Sequence, residues 1–416
     1  MSTWLSVFLL IGAPSVDTST GAIRPTSSSS TSSSGAEPGG PAEASAPQAT
    51  SVVDELLEVE IHGFVSQGVI KSTANNFLAE SSRGSFEVTE AGLNFTKSLT
   101  DKLRVGLQLF SRDLGPIGNY DVKLDWYYLD YRWSDWFGLR AGRTKVPFGL
   151  YNEISDVDSA RVPILLPPSI YPSQNRDFLL AQTGIDVYGY GRLGAAGSVE
   201  YSLYGGTIFI DVPRANPSAA FEFTELDTPY LLGGRVFWSP LEGLRLGASL
   251  QALELDATLY FQTAAQSPST GVLLEIPAVL WVASLEYTSQ DFLFATEYSR
   301  WRTEARSSDP ERFPTASTTS ERLYGMASYR VSGWFCPGVF YAVFFPDAQK
   351  REGRSGSQQQ VALTLRFDLN PFWILKLEGS YMRGTAGLSS SLNDNQKLSE
   401  LVADWGLFMA KTTAYF

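Results

Sequence analysis

A chain of 416 residues that is 44% hydrophobic and only 18% charged, yet contains no run of eighteen apolar residues, has no transmembrane helix on length. Its single cysteine (Cys336) and single histidine (His62) exclude an intrachain disulfide and a Cys/His metal site, so no cofactor is expected. The net charge of −12 argues against a nucleic-acid partner and suits soluble exposed loops.

In chain order, residues 2–13 form a short apolar segment of signal-peptide size, and Thr20-Gly21-Ala22 offers small residues for cleavage, so 1–22 is expected to be a signal peptide. Residues 23–55 are rich in Ser, Thr, Pro, Gly and Ala. Such a segment buries too little apolar surface to offset its chain entropy and is expected to be a disordered linker. Folding is expected to start near Leu57, in a domain of residues 56–416. His62 falls in its first strand and reads as a plain structural side chain.

From there the period is two. Val361, Leu363, Leu365 and Phe367 point one way, while Ala362, Thr364, Arg366 and Asp368 point the other. About sixteen such runs follow one another, each near the length a tilted strand needs to cross a bilayer. They fall at 57–71, 84–97, 102–112, 119–132, 136–144, 179–191, 196–209, 229–239, 243–254, 276–288, 290–303, 319–331, 335–346, 357–368, 371–383 and 400–416. Faces within 119–132 are ambiguous, because Trp126, Tyr127, Tyr128 and Leu129 break the alternation.

The connections alternate as well. Short turns such as Trp133-Ser-Asp135, Pro240-Leu-Glu-Gly243 and Asp368-Leu-Asn-Pro371 separate longer stretches near 72–83, 113–118, 145–178, 210–228, 255–275, 304–318, 347–356 and 384–399. Short turns at one end and long loops at the other predict an all-β, antiparallel, up-and-down transmembrane barrel. Trp126, Trp133, Trp136, Trp238, Trp281, Trp334 and Trp373 lie near strand ends, where interface girdles belong.

One loop stands apart. Residues 145–178 follow the fifth strand, carry Ile154, Val162, Ile164, Leu165, Leu166, Ile170 and Tyr171, and are too apolar for disorder. Alternation assigns Arg104, Arg140, Arg235, Arg245, Arg322, Arg330, Arg366 and Lys376 to the inner wall, with Glu286, Glu297 and Glu378. The loop could be a lid, an interface arm or a plug; if it folds inward, its acidic start places Glu153, Asp156 and Asp158 facing Arg140 and Arg143 across a narrow eyelet, with Lys145 and Arg161 beside them. The plainer alternative is that the arginines pair with neighbouring acids and only keep the lumen wet.

The last strand ends in Thr412-Thr413-Ala414-Tyr415-Phe416. A terminal Phe closing an amphipathic strand resembles the C-terminal signature of Gram-negative outer-membrane barrels, which implies that Phe416 is read by the barrel-assembly machinery. With sixteen strands and eight long loops the chain looks like a trimeric porin. Ala141-Gly142-Arg143 resembles the Gly-Arg pair that porins carry before their third long loop, and Lys145-Val146-Pro147-Phe148-Gly149 is similar to the phosphate-selective branch. The resemblance implies an inward-folded third loop, a homotrimer, and an outer membrane of lipid and lipopolysaccharide as surroundings. Its implied function is passive diffusion of small hydrophilic solutes or ions, without catalysis. A non-conducting barrel serving as adhesin or scaffold is the alternative reading. A lipase-like enzyme, needing a Ser-His pair, is a distant third.

Overall fold

The computed structural model describes residues 59–173, 181–209, 221–261 and 271–416, with side chains omitted at 221–225 and 260–261. The expected signal peptide and linker lie outside the described residues. Sixteen strands alternate with turns: β1 (Glu60–Ser72), β2 (Thr89–Ser98), β3 (Leu103–Asp113), β4 (Val122–Ser134), β5 (Phe137–Lys145), β6 (Ala181–Arg192), β7 (Ser198–Thr207), β8 (Phe221–Leu241), β9 (Leu244–Phe261), β10 (Val272–Ser289), β11 (Phe292–Ser307), β12 (Ala316–Tyr329), β13 (Phe335–Phe345), β14 (Gln358–Asn370), β15 (Trp373–Gly384) and β16 (Asp404–Tyr415). Each pairs antiparallel with its sequence neighbours, and β1 pairs with β16 (Phe64 opposite Tyr415), so the sheet is a closed barrel.

The alternation seen in the sequence sets the two faces. In β14, Val361 and Leu363 are exposed while Gln360, Ala362, Thr364 and Arg366 are buried. Leu250 and Leu363, at 58% and 57% exposed, belong to an outward apolar surface that also includes Val65, Leu129, Ile185, Leu203 and Phe408. An apolar face that continues around a closed sheet belongs against hydrocarbon. Closure also leaves no strand edge with unpaired backbone groups in lipid.

Two departures from the expected strands have local causes. Across β3 and β4 the register runs Gln108 to Trp126, then Leu109 to Leu124, so Asp125 is an extra residue. This bulge flips the parity of β4, which is why its aromatic run resists a period-two reading. Strands β8 to β11 run to 21, 18, 18 and 16 residues, well past the expected limits. A bilayer crossing needs only roughly ten residues. Beyond that length their outer face turns acidic, with Asp227 opposite Asp256 and Asp256 opposite Glu275. Polar side chains there read as loop in the sequence, yet Leu255, Ala257, Leu274 and Ile276 keep the inner face buried.

Candidate functional site

The segment after β5 bonds to inward-facing side chains on opposite walls, so it runs across the interior. Gly149 turns the chain with φ +57°, a left-handed conformation that suits glycine. An added Cβ there would lie 2.4 Å from Tyr171 Oη and 2.9 Å from Glu297 Oε1. The Gly149 amide donates to Ser249 Oγ on β9 (3.0 Å), and its carbonyl accepts from Arg235 on β8 (3.3 Å). Leu150 N donates to Glu297 Oε1 on β11 (2.8 Å), and Tyr151 Oη donates to Glu286 on β10 (3.0 Å). Glu297 also accepts from Ser284 (2.6 Å), Tyr324 (2.8 Å) and Tyr171, so a buried carboxylate is fully coordinated by donors. Burial first, then Glu286, pushes the Tyr151 phenol far above its ordinary range, which keeps it a donor. Phe148, Leu166, Ile170 and Tyr171 pack against Tyr204, Leu231, Phe237 and Tyr324 of the wall.

The far end of the segment is fastened to β14–β16. Lys376 Nζ lies 2.9 Å from Asp158 Oδ1 and also donates to the Asp158 carbonyl (2.7 Å). Thr413 Oγ1 donates to Asp158 Oδ2 (2.7 Å), and Lys411 and Arg161 lie 3.6 and 3.5 Å from Oδ1. Burial opposes ionisation of Asp158, but Lys376, Lys411 and Arg161 outweigh it and hold its carboxyl well below the usual range. Arg366 donates to the carbonyls of Ser159 (2.5 Å) and Arg161 (3.2 Å), and Glu378 accepts from Ile164 N (2.8 Å). On β3, Arg112 donates to the Ser173 carbonyl (3.2 Å).

Glu153, Asp156 and Asp158 make their closest ion pairs with cations other than the expected Arg140 and Arg143, while the Glu153 carboxylate still acts electrostatically on Arg140. Glu153 pairs with Arg235 (2.5 Å), Asp156 with Lys145 (2.7 Å) and Asp158 with Lys376. The turn at Gly149 carries the chain along β8–β11 before Asp156 meets Lys145 at the end of β5. Arg143 lies opposite Tyr127 and Thr183, on the face of exposed Leu129 and Ile185, and its Nε donates to the Asp125 carbonyl (2.7 Å). It therefore leaves the inner set, since residues directly opposite share a face.

Arg140 stays inside, 3.4 Å from both Asp130 and Asp186, with its guanidinium 4.3 Å from the Tyr188 ring centre. Arg245 lies 3.4 Å from Glu286 and 3.6 Å from Glu200, over the Phe237 ring. Arg330 meets Asp368 (3.1 Å) at the short-turn end, and Arg104 is exposed near the same end. Arg322 lies inside with no acid beside it among the described residues; its side chain rests near the rings of Trp301 and Phe344. Sequence reasoning missed Lys411, which pairs with Glu90 (2.6 Å), and the Asp130–Asp186 clamp. Parity puts Lys411 on the inner face of β16, but periodicity carries no information on which residue it meets.

Among the described residues, the ion pairs and hydrogen bonds of the segment concentrate on β8–β11 and β14–β16, with Lys145 of β5 and Tyr204 of β7 as contacts on the wall of β4–β7. Beside that wall the side chains of Arg140, Glu153 and Arg245 keep 30%, 32% and 33% exposure.

No family model and no curated protein sequence matches the chain. Solved structures do match in shape. OmpT, an outer membrane protein of Vibrio cholerae, superposes with TM-score 0.55 at 12% identity, over 86% of this chain and 97% of that one. The anion-selective porin from Comamonas acidovorans gives 0.53 at 13%, over 86% and 99%. Salmonella typhi OmpF, solved with daunomycin, gives 0.54 at 13%, over 87% and 99%. One expectation needs correcting. The reading of the chain as no enzyme does not stand, because the matches include OmpT beside porins and identities of 12–13% leave enzyme status unestablished. What these matches carry is the architecture: the chain has the fold of the sixteen-stranded outer-membrane porins of Gram-negative bacteria.

Proposed function

We propose that the protein is an outer-membrane channel for passive diffusion of small hydrophilic solutes or ions. The observation that carries this reading is the strip of partly exposed charge left beside the segment 146–173. Arg140, Arg235 and Arg245 stand on the wall and Glu153 stands on the segment. Fixed charges in a narrow aqueous gap replace part of an ion's hydration and are weakly screened, so each acts on permeation. The constriction is thus formed by Arg140, Arg235, Arg245 and Glu153. Lys145, Asp156, Asp158 and Arg161 fasten the segment, while Arg104, Arg330 and Arg366 contribute to the inner wall towards its short-turn end. The protein resides in the Gram-negative outer membrane, contacts lipid and lipopolysaccharide, and assembles as a homotrimer through the barrel-assembly machinery. Residues 1–22 serve export and 23–55 form a linker.

The test is conductance of the purified protein in a planar bilayer under a salt gradient. Arg140→Gln should move the reversal potential towards cation preference, because it removes one cation and leaves Asp130 and Asp186 in place. Absence of discrete conductance steps would turn the reading towards a non-conducting scaffold, which the apolar packing of Phe148 and Ile170 across the interior favours.

A further inference from the structure

Arg322 is 9% exposed and Ser299, directly opposite it on β11, is 1% exposed. Both sit on the inner face, two residue pairs along from Glu297 and Tyr324. Arg322 Nε and Ser299 Oγ are buried without a hydrogen-bond partner among the described residues. The nearby acids are committed elsewhere. Glu297 accepts from Ser284, Tyr171, Tyr324 and Leu150 N. Glu321 lies on the opposite face, held by Tyr298, Arg300 and Arg351. The guanidinium carbon lies 5.1 Å from the Trp301 ring centre and 5.2 Å from that of Phe344. Aromatic faces orient a cation but offer it no hydrogen-bond acceptor in the ring plane. A desolvated cation without an anion is unfavourable, and a carboxylate or phosphate group fits the fork of a guanidinium.

We propose that Arg322 and Ser299 form a binding station for a small oxyanion, the carboxylate or phosphate group of a solute. The inference rests on the channel reading and deepens it by giving a solute class. Its donor set is the guanidinium N–H groups and one hydroxyl. Trp301 and Phe344 flank it, and Ser169 of the crossing segment lies beside it, donating to the Leu323 carbonyl at 3.2 Å. An arriving anion meets donors that are already desolvated, so binding requires no break of an internal ion pair.

Tryptophan fluorescence of the detergent-solubilised full chain, titrated with inorganic phosphate and separately with malonate at constant ionic strength, tests the station without requiring conduction. Saturable change is expected in the wild type with at least one of the two, and loss of the signal in Trp301→Phe would locate it. Arg322→Met, which removes an unpaired buried charge and is expected to fold, should raise the half-saturation concentration at least about tenfold, the size of one charged hydrogen bond. Arg322→Lys should retain part of the binding, and Ser299→Ala should weaken it about threefold. A wild type that never saturates, or an Arg322→Met protein that titrates like the wild type, overturns the station. Saturation without conductance would uphold the station and overturn the channel reading, so the two failures are distinguishable.

Discussion

Lys376 and Asp158 are side chains that sequence alone would place on a wet wall and in an aqueous eyelet, and both are almost fully buried. Removing one member of such a pair leaves a charge in a poorly solvating site, at about 3–5 kcal/mol. Lys411 and Arg161 remain within 3.6 Å of Asp158, so Lys376→Met should fall near the lower end of that range. Thermal unfolding followed by circular dichroism would show it as a lowered Tm; an unchanged Tm would mean the pair contributes nothing net. The pH dependence follows from the depressed Asp158 carboxyl. A group whose folded pKa is lowered adds stability above its unfolded value, about 3.9, and loses it as pH falls towards the folded value. As pH falls, the Tm gap between wild type and Asp158→Asn should therefore hold down to about pH 5 and shrink below about pH 4. A gap that stays constant down to about pH 3 would contradict the assigned partners.

The crossing segment is an element without a period of its own, and its course is decided at one residue. Gly149 combines a left-handed φ with side chains packed against the place a Cβ would take. Gly149→Ala should strain the turn by about 1 kcal/mol or more and push Tyr171 and Glu297 apart. In single-channel recordings this should appear as larger or less uniform conductance, and wild-type traces would argue that the turn does not position the segment. Strand order, strand number and the facing of Arg235, Arg245, Arg366 and Lys376 were legible from alternation, because parity alone decides which side of a closed sheet a residue faces. Partners were not legible. Asp158 meets Lys376 across 218 positions of sequence, which no local pattern encodes. The length of β8–β11 was hidden for a different reason. Their outer face is acidic where they leave the hydrocarbon, and acid with turn residues nearby resembles a loop.

At the scale of the molecule, closure concentrates in the meeting of β1 and β16. Gly63 N donates to the Phe416 carbonyl at 3.1 Å, and Phe416 N donates to the Gly63 carbonyl at 3.0 Å. The Phe416 ring also occupies the space beside Gly63, where an added Cβ would approach it to 2.7 Å. Deleting Phe416 should lower the yield of folded protein in the membrane, read as less of the heat-modifiable form on gel electrophoresis. A yield equal to wild type would detach Phe416 from assembly. The pairing of β1 with β16 has a further consequence for how the protein comes into being. The seam joins strands separated by almost the whole barrel sequence, so a growing chain has no intermediate length at which the cylinder is shut. A chain cut short between β2 and β15 cannot make this seam, and any sheet it forms keeps two raw edges, unfit for lipid and open to pairing with whatever strand it meets.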